Sequence, residues 1–355
     1  MAEQSGTSFG PHPVCLIAVT PAGVTDNLRL KGRVQGMLGG VMGLSYVAGP
    51  LVGGFLTDHA GWRWIFLVNL PIGVVVVLLI VTRLPWRRGA GTAASPDYAG
   101  VAVFTGAVAT LLVGLHERAP WMLAVALLLA VVFVLVERHV AEPLMPLRLF
   151  RVRAYALACA AAFGGAFALY VSLVFLPRLL QGVWNVSATS SGVRMYPLML
   201  GMVAGSGITG ALITWVRPCL FVGAALIGIG AVVLGGIGAD SSAVLLATGM
   251  GLVGLGLGPT MSGLTVVIQT AVPAEYLGTA TSNLGFFRQV GGSVVLAVAD
   301  TVYRSSAGST PTSTAHAITT VTGILAFVGA VLLLLATAGL PRSPRTTAVL
   351  VPQNR

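Results

Sequence analysis

An all-helical fold that crosses a membrane about ten times is predicted by three features of this sequence. Only 8% of the residues are charged while 56% are hydrophobic. Soluble domains carry roughly a quarter charged residues, so the ionic groups here are too few to cover a water-facing surface. The apolar residues gather into runs of about 20, the length a helix needs to cross about 30 Å of hydrocarbon. The basic residues lie in the gaps between those runs, abundant in alternate gaps and sparse in the others. Hydrocarbon offers no partner to an unpaired backbone group, so each run must be helical. A membrane barrel would instead show alternating segments of about ten residues.

The first run, Val34–Leu56, repeats glycine every four residues: Gly32, Gly36 and Gly40; Gly39 and Gly43; Gly49 and Gly53. That spacing sets glycines on one helical face, where a second backbone can approach closely. Pro50 removes a backbone donor and is expected to kink the helix. Trp64–Thr82 follows across a short gap. Tyr98–Leu115 and Ala119–Val136 come next, parted by His116, Glu117 and Arg118. Ala154–Pro177 and Met195–Val216 flank a polar gap that holds Arg178 and Arg194. Cys219–Gly238, Ser242–Gln269, Thr279–Ala299 and Ala317–Leu340 complete the set. Gly251, Gly254 and Gly258-Pro259 make a second glycine seam, read as helix packing. Val14–Val24 is too short to span.

Numbered alternately, the gaps on one side hold fourteen of the 20 Lys and Arg residues and those on the other side five, with Arg288 inside a run. Basic residues concentrate on the cytoplasmic side, so the Arg-rich side is expected to be the cytoplasm of a plasma-membrane protein with both termini inside. Trp62, Trp64, Trp86, Trp121, Trp184 and Trp215 fall at or near span ends, as interfacial indoles do.

Several function classes are disfavoured. The net charge of +10 is spread through inter-span gaps and forms no solvated patch of the kind nucleic acid requires. Met1 to Pro13 lacks the basic start and apolar core of a signal peptide. Cys15, Cys159 and Cys219 lie far apart in or beside apolar stretches and read as packing residues, with no metal site or disulfide framework. The five histidines sit in gaps or at span edges, and no catalytic grouping is visible. No cofactor is expected.

Arg288 is the charged residue that lies well inside a span, where an ionisable group is costly and marks a functional position by default. Two readings stay open: it lines a cavity, or it snorkels to the Arg-rich surface. Asn283, Gln269 and Tyr170 are uncharged polar residues within or at the edge of spans and join Arg288 as cavity candidates, although such groups more often tie helices together. Asp300, at the outer end of the same run as Arg288, reads as a solvated interfacial carboxylate and is the candidate for proton coupling.

The pattern Gly36, Ser45, Gly49-Pro50 and Gly53-Gly54 resembles the antiporter motif of the major facilitator superfamily, with Ser45 where the family usually has glycine. The run from Gly61 through Asn69 to Gly73 looks like the start of the sixth helix in that superfamily's fourteen-span drug:proton antiporter branch. Glu137 to Phe150, Leu180-Gln181-Gly182 with Ser187 to Pro197, and Gly278-Thr279-Ala280 with Phe286 to Gly292 resemble the same branch. The resemblance implies that the ten runs match family helices five to fourteen. The first three family helices, and the loop motif after the second, have no counterpart here, so coupling residues cannot be carried over. Residues 1–33 become a remnant segment, 34–84 a partial N-terminal bundle of two spans and 85–152 a linker with two extra spans. Residues 153–340 become a C-terminal six-helix bundle and 341–355 a cytoplasmic tail. Aligning Gly32 with Gly278 brings Gly39 to Gly285 and Ser45 to Gly291, a weak internal repeat. The implied function is proton-coupled export of a small amphipathic compound by a monomer in the lipid bilayer. The alternatives are a truncated, inert remnant of such a transporter and an integral membrane enzyme.

Overall fold

The computed structural model describes residues 45, 48–83, 98–117, 119–139, 147–238, 241–273, 276–306 and 310–340. Val14–Val24, Gly36, Gly32 and Gly39, and with them most of the first run and the repeat alignment, lie outside the described residues. Within these residues the secondary structure is helical throughout, without strands. Helix α1 covers residues 48–59. The following run is divided at Val68 into α2 (Arg63–Leu67) and α3 (Asn69–Arg83). Next come α4 (Tyr98–His116) and α5 (Pro120–His139). The remaining helices are α6 (Arg153–Gly182), α7 (Ala188–Arg194), α8 (Tyr196–Ala211), α9 (Val216–Gly235), α10 (Ala243–Ala271), α11 (Leu277–Ser306) and α12 (Pro311–Ala338).

Helix α6 is the hub of the C-terminal bundle, packing against α12, α11 and α10, while α10 is gripped by α8 and α9. Its buried residues include Tyr155, Phe175, Leu176, Leu179 and Leu180. Glycines let the backbones meet. A Cβ at Gly201 would stand 2.8 Å from the Gly251 carbonyl oxygen, and one at Gly223 would stand 2.7 Å from that of Gly256. No real side chain tolerates such contacts. Pro259, inside α10, cannot donate to the Leu255 carbonyl, and that carbonyl is directed at Gly205 of α8. The second glycine seam is therefore a packing device on α10, as its spacing implied.

The opposite faces are apolar and open. Val232 on α9 is 65% exposed and Leu335 on α12 is 62% exposed, and none of residues 69–82 of α3 is buried among the described residues. Patches of this size on a water-soluble protein would drive association; here they are the lipid surface. Trp62, Trp64, Trp121 and Trp215 are likewise exposed at helix ends.

Two long-range polar contacts join helix ends that fall on the same side in the alternating scheme. Arg217 donates to the Thr337 and Ala338 carbonyls on the Arg-rich side. Thr319 donates to the Ile237 carbonyl at 2.9 Å on the Arg-poor side. The pair α4–α5 packs on itself and docks on α11 through Phe104 and Phe286, whose ring centres are 4.7 Å apart.

Candidate functional site

Two places gather the residues that the sequence singles out. The first is the meeting of α1 with α7 on the Arg-poor side. A Cβ on Gly54 would lie 2.6 Å from the Ala188 carbonyl oxygen and 2.7 Å from the Thr189 Cα. A Cβ on Gly192 would run into the Pro50 carbonyl group. Pro50 and Gly54 thus form a backbone-to-backbone crossing with α7. Gly49 and Gly53 meet nothing within 4 Å among the described residues, and Ser45 is an exposed helical residue. Among the described residues, the motif's close contacts fall on Pro50 and Gly54.

One turn beyond Gly54, Asp58 completes this contact. Its Oδ1 accepts from the Ala188 N–H at 3.1 Å, and its Oδ2 accepts from the Thr189 N–H at 2.8 Å and the Thr189 hydroxyl at 2.5 Å. The first N–H groups of a helix have no intrahelical partner and carry a partial positive charge. Those bonds, from the Thr189 hydroxyl and amide first, hold the Asp58 carboxyl below its ordinary value of 3.8. Ser187 caps the same helix from its own side, accepting from the Ser190 N–H. The sequence reading left Asp58 unassigned, and nothing local marks it, since its partners lie about 130 residues away.

The second place is the mid-height of the bundle between α6, α10 and α11. Arg288 is half-buried and directs Nη2 at the Thr260 carbonyl oxygen of α10, 3.5 Å away. This contact reaches the middle of α10. Tyr170 donates from its hydroxyl to Gln289 Oε1 at 2.6 Å, and its ring lies where Gly292 has no side chain. Gln289, adjacent to Arg288, thereby joins the group. Asn283 is 6% exposed and donates to the Tyr155 hydroxyl at 2.9 Å, a tie between α11 and α6. Gln269 is exposed near the Arg-rich end of α10, apart from the other three. Glu137, which falls in a gap by hydropathy, is 4% exposed near the end of α5.

Asp300 is partly exposed and lies between two guanidinium groups. Arg304 Nε lies 2.7 Å from one oxygen and Arg178 Nη1 lies 3.8 Å from the other. The Arg178 guanidinium also stacks on Phe175 at 4.9 Å. Beside them, Pro177, Gln181, Gly182, Tyr303, Thr314 and Ile318 line an open cavity of about 430 Å³ at the Arg-poor end. Among the described residues, no three His, Cys, Asp or Glu side chains are grouped closely enough to hold a metal ion.

A helical bundle that is apolar outside, polar at mid-height within and clamped to a helix from another part of the chain has the build of a multi-pass membrane transporter. The chain belongs to the Major Facilitator Superfamily, whose family model matches residues 15–296. Its relatives carry transporter names. It is 31% identical over 79% of its length to the multidrug transporter protein MdtP of Bacillus subtilis, covering 54% of that protein. It is 33% identical over 77% of its length to the tetracenomycin C resistance and export protein of Streptomyces glaucescens, covering 53%. It is 30% identical over 86% of its length to the rubrofusarin-specific efflux pump aurT of Gibberella zeae, covering 59%. The chain thus spans about half the length of the curated relatives it matches. The resemblance read from the Gly49-Pro50 and Gly53-Gly54 motif is borne out at the level of the family, as is an all-helical fold of about ten spans.

Proposed function

We propose that this chain takes part in secondary active export of small amphipathic organic compounds, driven by proton entry across the plasma membrane. The observation that carries the reading is the mid-height group of Arg288, Gln289, Tyr170 and the Thr260 carbonyl. Polar groups at that depth cost free energy unless they serve a partner or a passage. A large apolar-lined passage with a few polar groups selects poorly among amphipathic compounds, in keeping with relatives named for multidrug and for single-compound export. The Arg-rich side is the cytoplasmic one in this reading, both termini lie there, and the protein acts as a monomer.

Arg288 is the residue on which substrate or proton movement depends. Replacing it with alanine is expected to abolish energy-dependent dye efflux from cells while the protein remains inserted at normal amounts. Efflux at the unmutated rate by that variant overturns the role. The same assay, run with the native gene with and without its upstream codons and with and without an uncoupler, separates an active exporter from an inserted but inert chain.

A further inference from the structure

We propose that Asp58 is the positioning residue of a latch that closes the Arg-poor side, holding α1 on α7 and releasing it when that side opens. The proposal rests on the transporter reading, but its geometry stands without it. The carboxylate takes three donors from two consecutive residues of α7, at 2.5, 2.8 and 3.1 Å. Bonds to a charged acceptor are about twice as strong as those between neutral groups. The contact has little slack, because Gly54 lies on Ala188 and Gly192 lies on Pro50 with no side chain between them. Beneath it, Ser191 is 2% exposed. Asp58 also links parts of the chain about 130 residues apart, so it is a tertiary tie and not the cap of a neighbouring turn. A transporter that exposes its passage to each side in turn must break whatever seals the side about to open. Across those two parts of the chain the tie on the Arg-poor side is made by Asp58 and Thr189, beside the close approaches at Gly54 and Gly192.

The test uses the full chain, purified in detergent, with its three cysteines replaced and a reporter introduced as Ser191→Cys. The rate at which a fluorescent maleimide labels that cysteine reads the fraction of time the latch is open. Asp58→Asn keeps the size of the side chain but turns an NH2 group toward the donors. It is expected to raise the labelling rate about tenfold. Thr189→Val removes only the hydroxyl donor and is expected to raise the rate several-fold. The double variant should label no faster than Asp58→Asn alone, because both changes cut one tie. Unchanged labelling in both single variants, or effects that multiply in the double, overturns the latch. Retention of the elution profile and unfolding temperature shows that each variant is folded. If Asp58→Asn fails that check, Thr189→Val decides, since it keeps both amide bonds. Labelling needs no substrate. Faster labelling with no efflux in any variant keeps the latch and sinks the export reading, whereas efflux with unchanged labelling does the reverse.

Discussion

The stretch Arg63–Thr82, which holds most of α3, has a mean hydropathy of 2.8 against 1.6 for α10, yet among the described residues the more apolar one is bare and the less apolar one is packed. Helix α10 carries Gly249, Gly251, Gly254, Gly256, Gly258 and Gly263, and nearly all of them abut the backbone or side chain of α8 or α9. Helix α3 reads Asn-Leu-Pro-Ile-Gly followed by Val-Val-Val-Val-Leu-Leu-Ile-Val-Thr-Arg, and its single glycine, Gly73, meets nothing within 4 Å. In lipid there is no hydrophobic drive between helices, so contact is made by shape. Hydropathy puts a helix in the membrane, but small residues decide what it touches.

That contrast can be broken most sharply at one glycine in each region. Gly254→Leu forces a side chain into the Leu198 backbone and is expected to destabilise the bundle by at least about 2 kcal/mol, lowering the unfolding temperature and the monodisperse yield. Gly73→Leu is expected to change neither, within about 0.5 kcal/mol. Equal behaviour of the two variants would end the distinction. Within the packed half, Asn283→Ala and Tyr155→Phe remove the two ends of one buried bond. A double-mutant cycle on thermal unfolding is expected to give a coupling of about 0.6–1 kcal/mol, typical of such bonds between membrane helices. Arg178→Ala loses an ion pair whose guanidinium is 48% exposed, and the expected cost is below about 0.5 kcal/mol.

The smallest effect expected is that of pH on the latch. The Asp58 pKa is lowered in the latched state, so its contribution is fully present above the ordinary value and is lost only as pH falls through the lowered one. Maleimide reacts with the thiolate, so the labelling rate of Ser191→Cys is taken as a ratio to that of the same cysteine in the Asp58→Asn background at each pH, and this ratio should stay flat between about pH 8 and pH 5. His59 follows Asp58 on the same helix, bonding the Phe55 carbonyl and stacking on its ring.

The spans were legible because twenty apolar residues in a row admit one physical solution. The helix ends were not. Hydropathy ended a span at Pro177 and began the next at Met195, whereas α6 runs on to Gly182 and α7 starts at Ala188. Pro177 sits inside α6, Ser187 caps α7, and Thr310 with Ser313 caps α12 six residues before the apolar run beginning at Ala317. Hydropathy measures the hydrocarbon slab, while caps and prolines set how far a helix projects beyond it. The site divides in the same way. A lone guanidinium within an apolar run stood out, so Arg288 was readable. Gln289 lacks a charge to betray it, and Asp58 and Asp300 look solvated until Thr189, Arg178 and Arg304 are brought beside them. One-dimensional spacing cannot show partners supplied by another part of the chain.

The bare-backbone crossings of α10 with α8 and α9 have a mechanical consequence. Where carbonyls rest directly on glycines, no rotamer can adjust to absorb a shift, and the three helices must travel as a single stiff body. Helix α11, which bears Arg288 and Gln289, touches α10 only sparsely and is held instead by α6, where Gly291 lies on the Phe163 carbonyl and Gly292 on the Tyr170 ring. Any movement of the guanidinium relative to α10 therefore carries α6 with it.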